Sequence, residues 1–135
     1  VGQNSPLDGK GEEFLQFWQE RHLCTLTTVR RDGTPHVVPV GVTLDVESSI
    51  ARVISSGTSH KVRQILAAGP EGVPASVCQV DGRRWSTLEG RAVVRDDPGA
   101  VADAEARYEQ RYKKPRPNPA RVVIEISVTK VLGTV

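Results

Sequence analysis

Aromatic side chains are scarce in this 135-residue chain, at 4%. The apolar inventory is instead mostly Val, Leu, Ile and Ala, a set that suits strands. Cysteine is scarce too: Cys24 and Cys78 lie far apart, each inside an apolar strand-like run. With no CxxC and no Cys/His ligand spacing, nothing supports a structural zinc or any other metal site. The two read as buried free thiols in a reducing cytoplasm, not as a suggested disulfide. No apolar run approaches the roughly 20 residues of a membrane-spanning helix. Neither sign of charge dominates: 18 Lys and Arg face 16 Asp and Glu, a net +2. That balance is too small to imply a nucleic-acid partner by itself. No secretory pattern opens the chain. Val1 to Lys10 is polar with Gly and Pro, which predicts a flexible N-terminus ahead of a single domain over residues 11–135.

What is present is ordinary for a globular domain, 38% hydrophobic and 25% charged. Glu12 to Glu20 reads as a short helix, with Phe14, Leu15, Phe17 and Trp18 on its apolar face. Leu23 to Val29 reads as a strand, and Asp32-Gly33 as a hairpin signal. In His36 to Leu44 every second residue is shared by one face: His36, Val38, Val40, Val42 and Leu44. The other face carries Val37, Pro39, Gly41 and Thr43. Pro39 cannot donate to a ladder, and Gly41 admits close approach. The strand is thus either a platform for a planar ring or an edge protected by its proline.

Ile50 to Ile54 predicts the third strand, and Ser59 to about Ala68 a helix ended by Gly69-Pro70. Ala75 to Val80, a turn at Asp81-Gly82, and Arg83 to Val94 read as a second hairpin, with a bulge or bend at Gly90. Asp96-Asp97-Pro98 opens a third helix, with Val101, Ala104, Tyr108 and Tyr112 as its apolar stripe. Lys113 to Pro119 is a proline-rich extended linker, and Arg121 to Leu132 the sixth strand. The tight hairpins make the sheet antiparallel. The expectation is a mainly β (α+β) fold: a six-stranded antiparallel barrel with short helices over its openings.

Between the third strand and the second helix lies Ser55-Ser56-Gly57-Thr58-Ser59-His60-Lys61. A helix N-terminus offers unpaired N–H groups and a positive dipole end, and hydroxyls with a lysine complete an anion site. Taken alone, the stretch reads first as a helix cap by Ser59 or Thr58, because capping Ser and Thr are so common, with anion binding as the alternative. Arg107, Arg111, Lys113, Lys114, Arg116 and Arg121 form a basic region. It reads as a solvated helix face and linker, with carboxylate recognition open.

Leu23 to Thr28, Asp32 to Val40 and Ser55 to Lys61 together resemble the split β-barrel flavin/deazaflavin oxidoreductases, which include pyridoxamine 5′-phosphate oxidase. Cys78-Gln79-Val80-Asp81-Gly82-Arg83-Arg84-Trp85, Leu88 to Ala92 and Arg111 to Pro119 are similar to the deazaflavin-dependent biliverdin reductase branch of that family. The resemblance spans about residues 12–133. It implies a homodimer with coenzyme F420, or FMN as the alternative, in a groove at the subunit interface. It implies that Pro35, His36, Val37 and Val38 border the ring. Ser55, Ser56, Thr58, Ser59 and Lys61 would then hold the ring edge and phosphate, and Gln79, Val80 and Trp85 would contribute from the facing barrel. The reaction it implies is hydride transfer from the reduced deazaflavin to the C10 methine of biliverdin, giving bilirubin. Reduction of quinones or other conjugated compounds, and a non-catalytic carrier, are the competing functions. No acid/base constellation stands out, so no catalytic side chain is assigned.

Overall fold

The alternating segments build one antiparallel sheet, covered by three helices. A computed structural model describes residues 5–135. Its elements are α1 (Glu12–Gln19), β1 (Cys24–Val29), β2 (Pro35–Val40), β3 (Thr43–Asp45), β4 (Ile50–Ser56), α2 (His60–Ala67), β5 (Val73–Asp81), β6 (Arg84–Arg95), α3 (Pro98–Arg111) and β7 (Arg121–Gly133). The strand order is β2-β1-β5-β6-β7-β4-β3, with every neighbouring pair antiparallel. No helix among the described residues is long and apolar enough to cross a membrane.

There are seven strands where the alternation predicted six. The run from His36 to Leu44 divides at Gly41–Val42. Its first half pairs with β1 and its second half with β4, at opposite ends of the strand order. Two residues join these outermost strands, so the sheet must curl until its edges meet. The result is a split barrel whose seam is a covalent link, not a ladder.

Side chains facing into the barrel form the core. Leu26, Val53, Val77, Leu88, Ile124 and Ile126 are at most 1% exposed. Burial of each contributes about 1.5–3 kcal/mol. The bulge expected at Gly90 is present: the β6–β7 register slips between Glu89 and Gly90. A Cβ at Gly90 would lie 2.0 Å from the Ser127 carbonyl oxygen, so only glycine lets the strands close there.

The helices cover the openings. α1 buries Phe14, Phe17 and Trp18, and the Trp18 indole donates to Ser86 Oγ at 3.0 Å. α2 packs on β6, and α3 on β3, β4 and β7. Asp97 caps α3, its carboxylate accepting from the Ala100 amide at 3.1 Å, with Pro98 in the first turn. The N-terminal segment differs from expectation. Residues 1–4 lie outside the described residues, but Leu7 is buried in the core cluster, and Ser5 Oγ hydrogen-bonds Ser49 Oγ on the β3–β4 turn. One leucine at the barrel's edge thus ties down a segment whose composition reads as loose.

Candidate functional site

Strand β4 delivers its last hydroxyls to the start of α2, and the local chemistry there is satisfied in a chain. Ser59 is the N-cap of α2, its hydroxyl accepting from the Val62 amide at 3.4 Å. Ser55 Oγ lies 3.0 Å from Ser59 Oγ, and Ser56 Oγ lies 3.1 Å from Thr58 Oγ1. The capping reading therefore holds for Ser59. It does not compete with anion binding, because Ser55, Ser56, Ser59 and Lys61 also line a groove of about 500 Å³.

The opposite wall comes from two places. Pro39, Val40 and Gly41 supply the end of β2 and the barrel seam. Tyr108, Lys113, Pro115, Arg116, Asn118 and Arg121 come from α3, the proline-rich linker and β7. The volume lies within the range of small-molecule sites. Among the described residues no acidic side chain lines the groove, whereas four cationic ones do. Arg121 is engaged by Glu105, 2.7 Å away. Lys61, Lys113 and Arg116 have no carboxylate partner among the described residues. Burial pushes the Lys61 ammonium below the usual lysine range. An unpaired, partly desolvated cation is stabilised by an arriving anion, which restores the ion's lost solvation.

The basic region thus divides by position. Arg107 pairs with Asp103 at 2.9 Å and Asp45 at 3.4 Å, and Lys114, exposed like Lys113 and Arg116, does not line the groove as they do. Arg111 is not on a solvated face. It is buried, donating to the carbonyls of Glu20 (2.8 Å) and Val42 (2.5 Å) and to Gln79 Oε1 (2.6 Å). Gln79 is consequently not a groove residue either. Its amide is 1% exposed, donates to the Phe17 carbonyl at 2.8 Å and faces Arg111 inside the barrel. Cys24 and Tyr112 complete this interior cluster. Burial pushes the Cys24 thiol up and the Tyr112 phenol up to about 12, so both stay protonated near neutrality.

The other sequence-predicted residues fall in three positions. Pro35 and Val37 sit with Pro39 on the outer face of β2, while His36 and Val38 turn toward the barrel interior. The groove meets β2 at Pro39–Gly41 rather than at Pro35–Val38. Thr58 is exposed beside the groove. Val80 and Trp85 lie opposite each other across β5 and β6, exposed on the outer sheet face. His36 Nδ1 is buried without a hydrogen-bond partner. Desolvation, then the charges of Arg30, His60 and Lys61, hold its imidazole below the ordinary histidine value. Tyr108, Pro115 and Asn118 also line the groove, unassigned in the sequence. For Tyr108 the signal is a strand glycine matched to a tyrosine stripe: a Cβ at Gly41 would lie 2.8 Å from Tyr108 Cε2. Among the described residues, Glu20, His22 and Asp81 form the carboxylate–imidazole cluster with metal-like spacing. Arg84 already fills it, 3.0 Å from Glu20 and 2.5 Å from Asp81.

The antiparallel split barrel thus places the groove beside its β4–α2 turn. The chain belongs to the pyridoxamine 5′-phosphate oxidase family, whose family model matches residues 11–134. Within that family, it is 54% identical over 123 residues to a Mycobacterium tuberculosis (strain CDC 1551 / Oshkosh) protein named F420H(2)-dependent biliverdin reductase. That match covers 91% of this chain and 87% of the relative. Among solved structures, an F420 reductase superposes with a TM-score of 0.70 at 23% identity, covering 91% of this chain and 98% of the other. A conserved hypothetical protein from Mycobacterium tuberculosis superposes with a TM-score of 0.75 at 20% identity, covering 98% and 89%. At those identities the two structures speak to the fold alone.

Proposed function

We propose that this chain is an F420-dependent reductase that converts biliverdin to bilirubin. The observation that carries the reading is the groove, which among the described residues holds three cations without a carboxylate partner, three serine hydroxyls and no acid. The M. tuberculosis relative, 54% identical, supports the choice of cofactor and acceptor. The donor set fits the deazaflavin cofactor, which bears a phosphodiester and an oligoglutamate tail. FMN, with a single phosphate, would leave much of the charge at Lys113 and Arg116 unused.

When bound, the reduced deazaflavin would supply a hydride from its C5 to the C10 methine of the tetrapyrrole, and one proton taken up at a pyrrole nitrogen would complete bilirubin. The chain's own residues bind and align. Ser55, Ser56 and Ser59 present hydroxyl donors, and Lys61 adds a charge-assisted bond to the phosphate region. Lys113 and Arg116 attract the remaining carboxylates. Pro39, exposed at the end of β2, presents a flat edge that a planar ring can approach, whereas the space beside Gly41 is taken by the Tyr108 and Tyr112 rings, which back that wall. The groove lining holds neither a carboxyl nor an imidazole. The protein's contribution to the hydride step is accordingly alignment and exclusion of water, with no catalytic side chain assigned.

The working unit in this proposal is a homodimer. Val80 and Trp85, paired across β5 and β6, are 63% and 38% exposed on the outer face of the sheet. A paired apolar surface of that kind supports a covering partner. Two free cysteines, Cys24 and Cys78, support a reducing cytoplasmic location. The reading is tested by titrating the purified protein with deazaflavin and with FMN, then adding biliverdin to the reduced complex. Deazaflavin binding and loss of biliverdin absorbance are expected. Binding without biliverdin loss would turn the reading toward a carrier or another acceptor, and FMN binding alone would overturn the cofactor.

A further inference from the structure

The barrel seam is held by one end of α3, and that hold fixes a wall of the groove. Between β2 and β3 the backbone leaves the ladder, so both polar groups of Val42 need partners elsewhere. They find them on α3. The Val42 amide donates to Tyr112 Oη at 3.0 Å, and its carbonyl accepts from Arg111 Nη1 at 2.5 Å. The Tyr112 hydroxyl in turn donates to the His22 carbonyl at 2.7 Å, just ahead of β1.

Arg111 is an unusual choice for a buried position. Its acceptors are the carbonyls of Glu20, Val42 and Phe17 and the amide oxygen of Gln79, all neutral. A buried guanidinium without a carboxylate is poor for stability. What it provides is a rigid planar fork reaching α1, the seam and β5 at once, which a lysine cannot match. The seam then bears on the groove directly. Gly41 and Tyr108 both line it, and the Tyr108 and Tyr112 rings stack 4.9 Å apart against Gly41.

We propose that Arg111 and Tyr112 are positioning residues: together they latch the Gly41–Val42 seam to α3 and so set the shape of the groove's Pro39–Gly41 wall. Neither touches the bound group in this account, and the inference rests on the cofactor reading above only for what the groove holds. Tyr112→Phe is the informative variant because it keeps the ring and its packing. Arg111→Lys is the second, keeping the charge but losing the fork. Amide hydrogen exchange is read at Val42, against core amides of β1 and β5, with thermal denaturation and the deazaflavin Kd alongside.

The latch predicts that in Tyr112→Phe the Val42 amide exchanges at least tenfold faster while the β1 and β5 core amides hold. The deazaflavin Kd should rise about tenfold with only a small loss of thermal stability. Equal acceleration across the sheet would mean a general structural role and overturn the proposal. Faster exchange at Val42 with an unchanged Kd would overturn its bearing on the groove. The exchange arm needs no cofactor. If the wild type bound no deazaflavin, the cofactor reading would fall while Val42 exchange still decided the latch.

Discussion

Removing the Lys61 side chain separates binding from folding, because the structure assigns this residue no partner that folding needs. The ammonium is partly buried at the groove, has no carboxylate within reach among the described residues, and titrates below the usual lysine range. Its desolvation is a cost in the free protein, so Lys61→Ala should leave stability within about 0.5 kcal/mol of wild type, or raise it slightly. Binding should respond differently. One charge-assisted hydrogen bond to an anion is worth about 1.5–3 kcal/mol. At about 1.4 kcal/mol per factor of ten, the deazaflavin Kd should rise roughly 10- to 150-fold. Fluorescence titration gives the affinity, and thermal denaturation of the same samples gives the stability. Raising the salt concentration should narrow the gap between wild type and variant, since part of the lost energy is long-range attraction. An unchanged Kd would remove Lys61 from the site. A large fall in melting temperature with no change in affinity would show that it serves the fold.

Other expectations concern the fold and the outer face. Leu7→Ala should cost about 2 kcal/mol or more in denaturant unfolding, because Leu7 is 3% exposed in the core; a loss near zero would mean the segment is not packed. The His36 imidazole is held below its ordinary value, so below about pH 6.5 the unfolded chain binds the extra proton first. Stability should therefore fall as pH drops from about 6.5 toward the folded-state value and then level off. His36→Phe should flatten that part of the curve, and persistence of the slope in the variant would place its origin elsewhere. Trp85→Glu, aimed at the outer sheet face, should shift the protein from dimer to monomer in sedimentation; a monomeric wild type would contradict the homodimer.

Much of this was legible because the signals are local. Ser59 caps α2, Asp97 and Pro98 open α3, and the Asp-Gly turns close hairpins through chemistry confined to a few residues. Gly90 announced its bulge because a strand glycine has few other uses. The seam was not legible. His36 to Leu44 alternates without a break, and only barrel closure, with two tyrosine rings pressed on Gly41, decides that β2 ends there. Arg111 and Gln79 misled for a related reason. A polar residue in a basic or turn-flanked run reads as exposed, whereas each here satisfies the other inside the barrel. The hydroxyl-rich turn was visible as an anion site. Its opposing wall was not, because Lys113 and Arg116 reach it from a linker more than 50 residues away in sequence.

In the proposed reaction a hydride passes from a deazaflavin held in this groove to biliverdin. Coenzyme F420 reduced with deuterium at C5 follows that hydride, with the bilirubin product examined by mass spectrometry. The product should be one mass unit heavier, with the label at C10, and should be lost when Lys61→Ala is assayed at limiting cofactor. Unlabelled bilirubin, or no bilirubin from a protein that demonstrably binds the reduced deazaflavin, would contradict that reaction.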